Sequence, residues 1–150
     1  MTTYFEARDA IYGVVKSTVD DAASYIGYIP EVEYPSITKI DNPPIDKIWL
    51  RANMTTVGEP QSTLSTCIGE PFSNRYTSFG LVIIELYIPK QGNIYELATQ
   101  LATHLRDVYR KSGSSSGVIY RKARINDNIS AEANFKRINV IAEYEYDEIL

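Results

Sequence analysis

The sequence predicts an α+β fold: a mainly antiparallel sheet of about four strands with two helices packed on one face. Two patterns support this prediction. Apolar residues recur every three or four positions at Ile94, Leu97, Leu101, Leu105 and Val108, as they do along one face of a helix. Extended apolar segments precede and follow that stripe, over 79–88 and 118–125. Because each helix and each strand must bury one apolar face, this order predicts helices laid against a sheet.

Length and composition fit a single globular domain over residues 1–150. Hydrophobic residues make up 44% of the chain and charged residues 23%, which is ordinary for a soluble protein. The net charge of −4 disfavours a surface that neutralises nucleic-acid phosphates, since such surfaces need clustered Lys and Arg. The longest apolar run, 81–84, is far shorter than the ~20 residues of a membrane-spanning helix. We therefore expect no membrane association and no secretory signal at the amino end.

The amino-terminal third predicts one helix followed by an irregular connection. A helical stripe runs over 3–22, with Thr2 or Thr3 as the cap and Glu6 at the capping-box spacing from Thr3. Residues 24–45 contain several prolines, so we expect an irregular connection there with one short edge strand at most.

The rest of the chain alternates strands with one helix. Asn93 suits the N-cap of that helix, and Gly113 suits its end. The predicted elements are strands over 47–55 and 79–88, a helix over 94–110, and strands over 118–125 and 134–146.

A long polar segment, 58–78, separates the first two confident strands. Loops longer than about 12–15 residues are uncommon in a compact domain. The segment is either a surface loop or an arm that packs on another molecule. Its large apolar side chains are costly to expose to solvent and favour an arm that packs against a neighbouring subunit: Leu64, Ile68, Phe72 and Tyr76.

The sequence offers little material for catalysis. Cys67 is the single cysteine and His104 the single histidine, so neither a disulfide nor a four-ligand Cys/His zinc site can form within the chain. The spacing Gly113-x-x-x-Gly117 is one residue short of a phosphate loop and follows a helix rather than preceding one. Glu143 and Glu145 alternate on a strand face as solvated charges. We therefore expect no enzyme, no cofactor and no metal.

Two features favour self-association. The chain has twelve tyrosines, and tyrosine is favoured in protein interfaces, although core and surface roles explain any single one equally well. A sheet of four strands also has two open edges, which proteins cover or use. The chain therefore has the features of a homo-oligomer subunit.

The chain resembles the phage tail terminator-like proteins, a family of small virion assembly proteins. The resemblance is a pattern of elements and short sequence marks, and it covers nearly the whole chain. The amino-terminal helix, with 5–8, also fits. The matching segments are the strand 48–53, the loop 58–64, the stretch 75–80 with the strand 81–89, the turn 91–93, the helix with Leu97, Ala98 and Leu101, and the closing strand 135–146 with Asn139-Val140 and 144–147.

This resemblance implies a structural protein of the phage tail. Such proteins form a hexameric ring on the last ring of the tail tube protein. The ring ends tube polymerisation and presents a surface to the head–tail connector protein. Genomic DNA passes through its hole without sequence-specific binding. The expected location is the virion, after assembly in the host cytoplasm.

The resemblance also suggests residue roles. Gln61, Arg75 and Gly80 become candidates for ordering the 58–78 arm, with Gly80 serving the backbone and Arg75 pairing with a neighbour's carboxylate. Glu143 and Glu145 become candidates for lumen charges that repel DNA. The full set of interface candidates is Gln61, Leu64, Ile68, Phe72, Arg75 and Tyr76.

Two alternatives remain open. One is a head–tail connector (neck) or tube-related subunit with a similar sheet. The other, from a different class, is a small ligand-binding domain with a pocket on the sheet, which would need convergent polar groups in a concave site.

Overall fold

The computed structural model describes residues 2–35, 46–61, 75–90, 94–111, 117–127 and 135–149. It confirms the predicted α+β class, with helices and one sheet. Within these residues, eight elements follow one another: α1 (Tyr4–Asp21), α2 (Ala23–Ile26), β1 (Glu31–Glu33), β2 (Trp49–Gly58), β3 (Arg75–Pro89), α3 (Ile94–Lys111), β4 (Val118–Asn126) and β5 (Phe135–Ile149).

The sheet has five strands in the order β1-β2-β3-β5-β4, one more than predicted. The extra strand, β1, lies within the 24–45 connection and pairs parallel to β2, so the sheet is mixed rather than wholly antiparallel. With three residues, β1 is too short to show the two-residue period by which strands are recognised in a sequence. The other three pairings are antiparallel, as predicted.

Strands β3 and β5 form the long centre of the sheet. Each has 15 residues, paired without a break from Arg75 opposite Ile149 to Pro89 opposite Phe135. At about 3.4 Å per residue, this two-stranded spine is about 50 Å long. The predicted strand 79–88 therefore begins four residues too late, because 75–78 carries mostly polar side chains and lacks an apolar alternation.

The core lies between one face of the sheet and the two long helices. Even-numbered residues in the middle of β2, β3 and β5 point to this side and are buried, as the pleat of a strand requires; they are Leu50, Ala52, Val82, Ile84, Leu86, Ile88, Ile138, Val140, Ala142, Tyr144 and Tyr146. The phenol of Tyr109 on α3 is fully buried and donates a hydrogen bond of 3.0 Å to the Ile11 carbonyl on α1. This bond joins the two helices inside the apolar layer.

The helix ends partly confirm the sequence signals. Thr3 caps α1 in a capping box with Glu6, as predicted. Gly27 adopts φ 92° directly after α2, a conformation that glycine tolerates best. The predicted cap Asn93 and stop Gly113 lie outside the described residues, as do Pro43 and Pro44. No helix in the described ranges is long and apolar enough to span a membrane.

Candidate functional site

The face of the sheet away from the helices is the candidate interaction surface, and we call it the open face. It carries the odd-numbered side chains of β2, β3 and β5, together with Ile119, Arg121 and Arg124 of β4. These side chains are mostly partly exposed, in contrast to the mostly buried even-numbered set. Across the strands the register aligns two rows near one end: Phe79, Glu145 and Ile119 in the first, and Leu81, Glu143 and Arg121 in the second.

Large apolar side chains remain exposed on this face. Val57 is 63% exposed, Ile119 is 42% exposed and Phe79 is 40% exposed. A groove of about 360 Å³ runs between them, and we call it the open-face groove. Its floor includes Leu81 and Gly80. The groove is therefore partly apolar and open to solvent.

The groove also contains the two carboxylates predicted to line a lumen. Glu145 lies 3.7 Å from Arg121, and Glu143 lies 3.8 Å from Lys122. All four side chains are more than a third exposed, so these pairs add little stability. Their consequence is electrostatic: the predicted acidic stripe is balanced locally by cations of the adjacent strand β4.

An aromatic cluster lies at the opposite end of the open face, in contact with an arginine side chain. Trp49 stacks on Tyr87 with ring centroids 4.1 Å apart, and the Arg51 guanidinium lies 5.6 Å from each ring. The same guanidinium lies 3.7 Å from Glu33 and 3.8 Å from Glu85. Trp49 and Tyr87 are almost fully buried. The ion pair of Arg51 with Glu33 helps to hold the short strand β1 on the sheet.

The predicted segment 58–78 begins and ends as paired strand rather than as loop. The amide of Thr77 donates to the Pro60 carbonyl at 3.0 Å, and Gln61 forms a β-bridge with Tyr76. The Ser78 hydroxyl lies 3.2 Å from a Glu59 carboxylate oxygen. The β2–β3 hairpin thus extends three residues farther than predicted on β2 and four residues farther on β3, because backbone pairing there does not depend on apolar side chains. Both Gln61 and Tyr76 belong to this extension.

Arg75 also binds within the chain. Its guanidinium donates a 2.5 Å hydrogen bond to Asp147 on β5, and the Thr77 hydroxyl donates one of 2.7 Å to the same carboxylate. Burial alone would raise the pKa of Asp147, but these two donors and the positive charge lower it below its ordinary value. Arg75 therefore has a carboxylate partner within its own chain, and its pairing with a neighbour's carboxylate stays a prediction.

Gly80 leaves space on β3 that a side chain would fill, whereas its suggested role in ordering the 58–78 arm stays a prediction. A Cβ atom at this position would lie 2.0 Å from the Thr55 carbonyl oxygen and 2.6 Å from the Tyr144 hydroxyl oxygen. The absence of a side chain lets the Tyr144 ring cross β3 and place its hydroxyl 3.0 Å from that of Thr56 on β2. Sequence reasoning missed this contact; a lone glycine inside an apolar strand is its only signal.

Some predicted residues fall outside the described ranges. These are the arm candidates Leu64, Ile68 and Phe72, together with Cys67. Of the interface candidates, the structure therefore brings Gln61, Arg75 and Tyr76 together at the hairpin end of the spine. In the described ranges no three metal-ligating side chains are grouped in a way that could hold an ion.

Comparison with known proteins gives a fold but no family. Neither a scan of protein-family models nor a search of curated proteins finds a match. Solved structures do match, and one that is identified only by a sequence number superposes with a TM-score of 0.57 at 18% identity. The alignment covers 93% of this chain and 94% of that one. At this identity the likeness establishes a shared fold over nearly the full length of both chains.

Proposed function

We propose that the chain is a structural phage assembly protein that caps the tail tube, as its resemblance to the tail terminator-like proteins implies. Copies form a hexameric ring that ends polymerisation of the tail tube protein and presents an interface for the head–tail connector protein. The proposed location is the virion, after assembly in the host cytoplasm. In this proposal the protein has no catalytic activity. The observation that carries the proposal is the exposed apolar surface of the open face.

The composition of the open face supports a role in protein contacts. Val57, Phe79 and Ile119 surround one groove, whereas single exposed apolar residues are scattered over most protein surfaces. Ionic pairs lie beside them, at Arg121 and Glu145 for example. An apolar centre with a polar rim is the usual composition of a protein–protein interface.

The sheet gives this surface a rigid support. Strands β3 and β5 pair over their full 15 residues, and the bridge between Gln61 and Tyr76 continues the hairpin at one end. A subunit that must hold a fixed position in a ring benefits from such a support, because little ordering entropy is lost when it binds.

The charges of the open face fit the proposed passage of DNA. Glu143 and Glu145 are neutralised by Lys122 and Arg121, so this part of the face has no excess of positive charge to hold phosphates. A ring lined in this way would let a duplex move without strong or sequence-specific binding. The lumen role of the two glutamates, in which their charges repel DNA, stays a prediction of the resemblance.

Capping is tested with the tail tube protein of the same phage. Tubes are assembled with and without this chain and imaged by negative-stain electron microscopy. We expect shorter tubes with a ring at one end, and rings with a central hole in the protein alone or on the tubes. Light scattering of the same mixtures gives the subunit number. Tubes of unchanged length, without added density at either end, would contradict the proposal.

A pair of variants locates the surface. The double variant Val57→Asp/Ile119→Asp places charge in the open-face groove and should abolish capping. Phe5→Asp adds one charge at a 61% exposed position on the helix side and should cap normally. Circular dichroism verifies that both variants fold. Equal capping by both variants would show that the open face is not the surface needed for capping.

The two alternatives predict different results. A connector or tube-related subunit would be located at the neck or along the tube when labelled in intact virions by electron microscopy. A ligand-binding domain is favoured only by the open-face groove, whose volume would admit a small molecule. Native mass spectrometry of the purified protein would then show a bound compound that the Val57→Asp/Ile119→Asp variant loses.

A further inference from the structure

One edge of the sheet is basic although the chain as a whole is acidic. Strand β4 carries Arg121, Lys122 and Arg124, and the end of α3 beside it carries Arg110 and Lys111. The Arg110 guanidinium donates a 3.1 Å hydrogen bond to the Ala123 carbonyl, so the helix end and the strand are joined. We call these five residues the basic edge. Glu143 and Glu145 partly offset its charge from β5, and Asp127 does so from the end of β4.

The other edge of the sheet is acidic. Glu31 on β1 and Asp46 before β2 are both exposed and line a depression of about 280 Å³. Burial raises the pKa of Tyr34, and the negative charge of Asp20, at the end of α1, raises it further, so Asp20 lies near the β1 edge. The exposed Asp21 follows it. We call Asp20, Asp21, Glu31 and Asp46 the acidic edge; Lys47 in the same depression and Lys16 on α1 partly offset it.

The two edges cannot meet within one molecule. Strands β1 and β4 are the first and last of the five, so four interstrand steps of about 4.8 Å place them about 19 Å apart. Opposite charges on opposite sides of one subunit are complementary between two copies in the same orientation. Such a head-to-tail contact is heterologous and closes into a ring when the rotation between subunits allows it.

We propose that the basic edge of one copy docks against the acidic edge of the next. This inference names the contacts of the ring, so it rests on the proposed function. Lys122 is the residue best placed to enter the partner's acidic depression, because its side chain is 76% exposed. Ile29, 56% exposed at the depression, supplies apolar area on the acidic side of the contact.

The backbone of β4 indicates that side chains, rather than an added strand, make this contact. Lys122 has φ 51°, a conformation that a residue other than glycine rarely adopts. The pairing with β5 shifts register between Arg121 and Arg124, which marks a β-bulge. A bulge in an edge strand interrupts the row of backbone groups that a second sheet would need. The side chains of the basic edge remain available for charge pairing.

Two charge-reversal variants test the proposal. Variant one is Lys122→Glu/Arg124→Glu, and variant two is Glu31→Lys/Asp46→Lys. The matched control, Lys90→Glu/Lys136→Glu, makes the same change in net charge as variant one at two exposed positions, one directly after β3 and one on β5. Analytical ultracentrifugation measures association, and circular dichroism verifies folding. Each edge variant should weaken association at least about tenfold, the scale of close charge pairs across an interface, while the control associates like the unmodified protein.

Mixing the two edge variants gives the decisive measurement. Each variant alone brings like charges together, but an alternating assembly of the two pairs opposite charges at every contact. We expect the mixture to recover association. Association of the unmodified protein should also fall about tenfold between low salt and about 0.5 M salt, because screening weakens exposed charge pairs.

The outcomes separate this inference from the proposed function. If the unmodified protein stays monomeric at high concentration and low salt, or if the mixture does not recover, the edge pairing is wrong. Normal tube capping by both edge variants would also overturn the edge pairing and leave the proposed function intact. Failure of the unmodified protein to cap tubes, despite salt-sensitive association and recovery in the mixture, would overturn the proposed function alone.

Discussion

Gly80 shows how a single residue can set the spacing of three strands. It lies on β3 opposite Thr56 of β2 and Tyr144 of β5. The phenol ring of Tyr144 occupies the space that a side chain at position 80 would fill. The hydroxyl contact between Tyr144 and Thr56 then joins β5 to β2 across the strand that separates them.

Replacing this glycine should be costly. In Gly80→Ala the new methyl group would lie 2.0 Å from a backbone oxygen of Thr55, which cannot turn away as a side chain can. We expect the free energy of unfolding to fall by about 1–3 kcal/mol or more, the scale of an overpacked core position. Urea denaturation followed by circular dichroism measures the change.

Gly13 provides the matched control. It lies within the exposed part of α1, and no atom comes within 4 Å of the position that a Cβ would take. Gly13→Ala should therefore raise the free energy of unfolding by about 0.5–1 kcal/mol through helix propensity. A loss of stability in both variants would show that the contacts around Gly80 are not the cause.

At this scale the sequence predicts the burial of residues well, but it predicts poorly which side chains contact each other. The alternation around Val140 and Tyr144 correctly predicts the strand that carries them. The partner of Arg75 could not be predicted, because Asp147 is 72 positions away and depends on the register of β3 with β5. The sequence pattern alone left that register open.

Among the elements, the β2–β3 hairpin differs most from its prediction. Its last pairs, at Gln61 and Tyr76, lie where the composition predicted loop or arm. Side chains from β5 help to hold this end of β3, since both Arg75 and Thr77 donate to Asp147. A strand end that is held by polar contacts has no alternation of apolar residues. A prediction based on hydrophobic alternation therefore places the start of β3 too late.

The variant Asp147→Asn should loosen this end of the hairpin. We expect global stability at neutral pH to fall by only about 0.5–1 kcal/mol, because the Arg75–Asp147 pair is partly exposed. Amide hydrogen exchange of 75–78 should become faster, since that end loses a charged acceptor. Hydrogen exchange with mass spectrometry measures this directly.

The pH dependence gives a second measure of the same contact. Because the folded pKa of Asp147 is lowered, its contribution is present above the unfolded value and is lost as the pH falls through the folded value. The variant should lack this part of the acid sensitivity. Asp127→Asn, an exposed change beyond β4, serves as the control and should leave exchange of 75–78 unchanged.

The short strand β1 shows a second limit of prediction. A short edge strand was expected somewhere in 24–45, but its three residues gave neither its position nor its direction. Contacts with later parts of the chain fix both: it pairs parallel to β2, and Glu33 lies 3.7 Å from Arg51. Long-range electrostatics of this kind cannot be recovered from local periodicity.

Across the whole molecule, buried tyrosines make stability sensitive to alkali. Burial raises the pKa of Tyr34 and of Tyr120 to about 12, and raises that of Tyr109 well above its ordinary value. The unfolded chain releases these protons near pH 10. Stability from these groups is therefore present below about pH 10 and is lost as the pH rises from there toward the folded values.

Urea denaturation at several pH values between about 8 and 11.5 tests this dependence. Each such group can lower stability by up to about 1.4 kcal/mol per pH unit above its unfolded value. The Tyr120 hydroxyl is buried without a hydrogen-bond partner among the described residues, so Tyr120→Phe should keep the fold and reduce the slope. Stability that stays level throughout this range would contradict the assignment.

The candidate site was only partly predictable at this scale. The alternation of Glu143 and Glu145 on one strand predicted an acidic stripe, but folding places Lys122 and Arg121 beside them. Net charge is a property of the sequence, whereas its division between a basic and an acidic edge depends on strand order. The order β1-β2-β3-β5-β4 was not available from periodicity.

The interleaved strand order has a consequence for biosynthesis. The central strand β3 obtains its second neighbour only when β5 arrives, after α3 and β4 have been made. While the ribosome is still translating β4, the edge of β3 that will pair with β5 has no hydrogen-bonded partner strand. High contact order of this kind slows folding toward the range of milliseconds to seconds. During this period the backbone N–H and C=O groups along that edge of β3 are unpaired and accessible to chaperones.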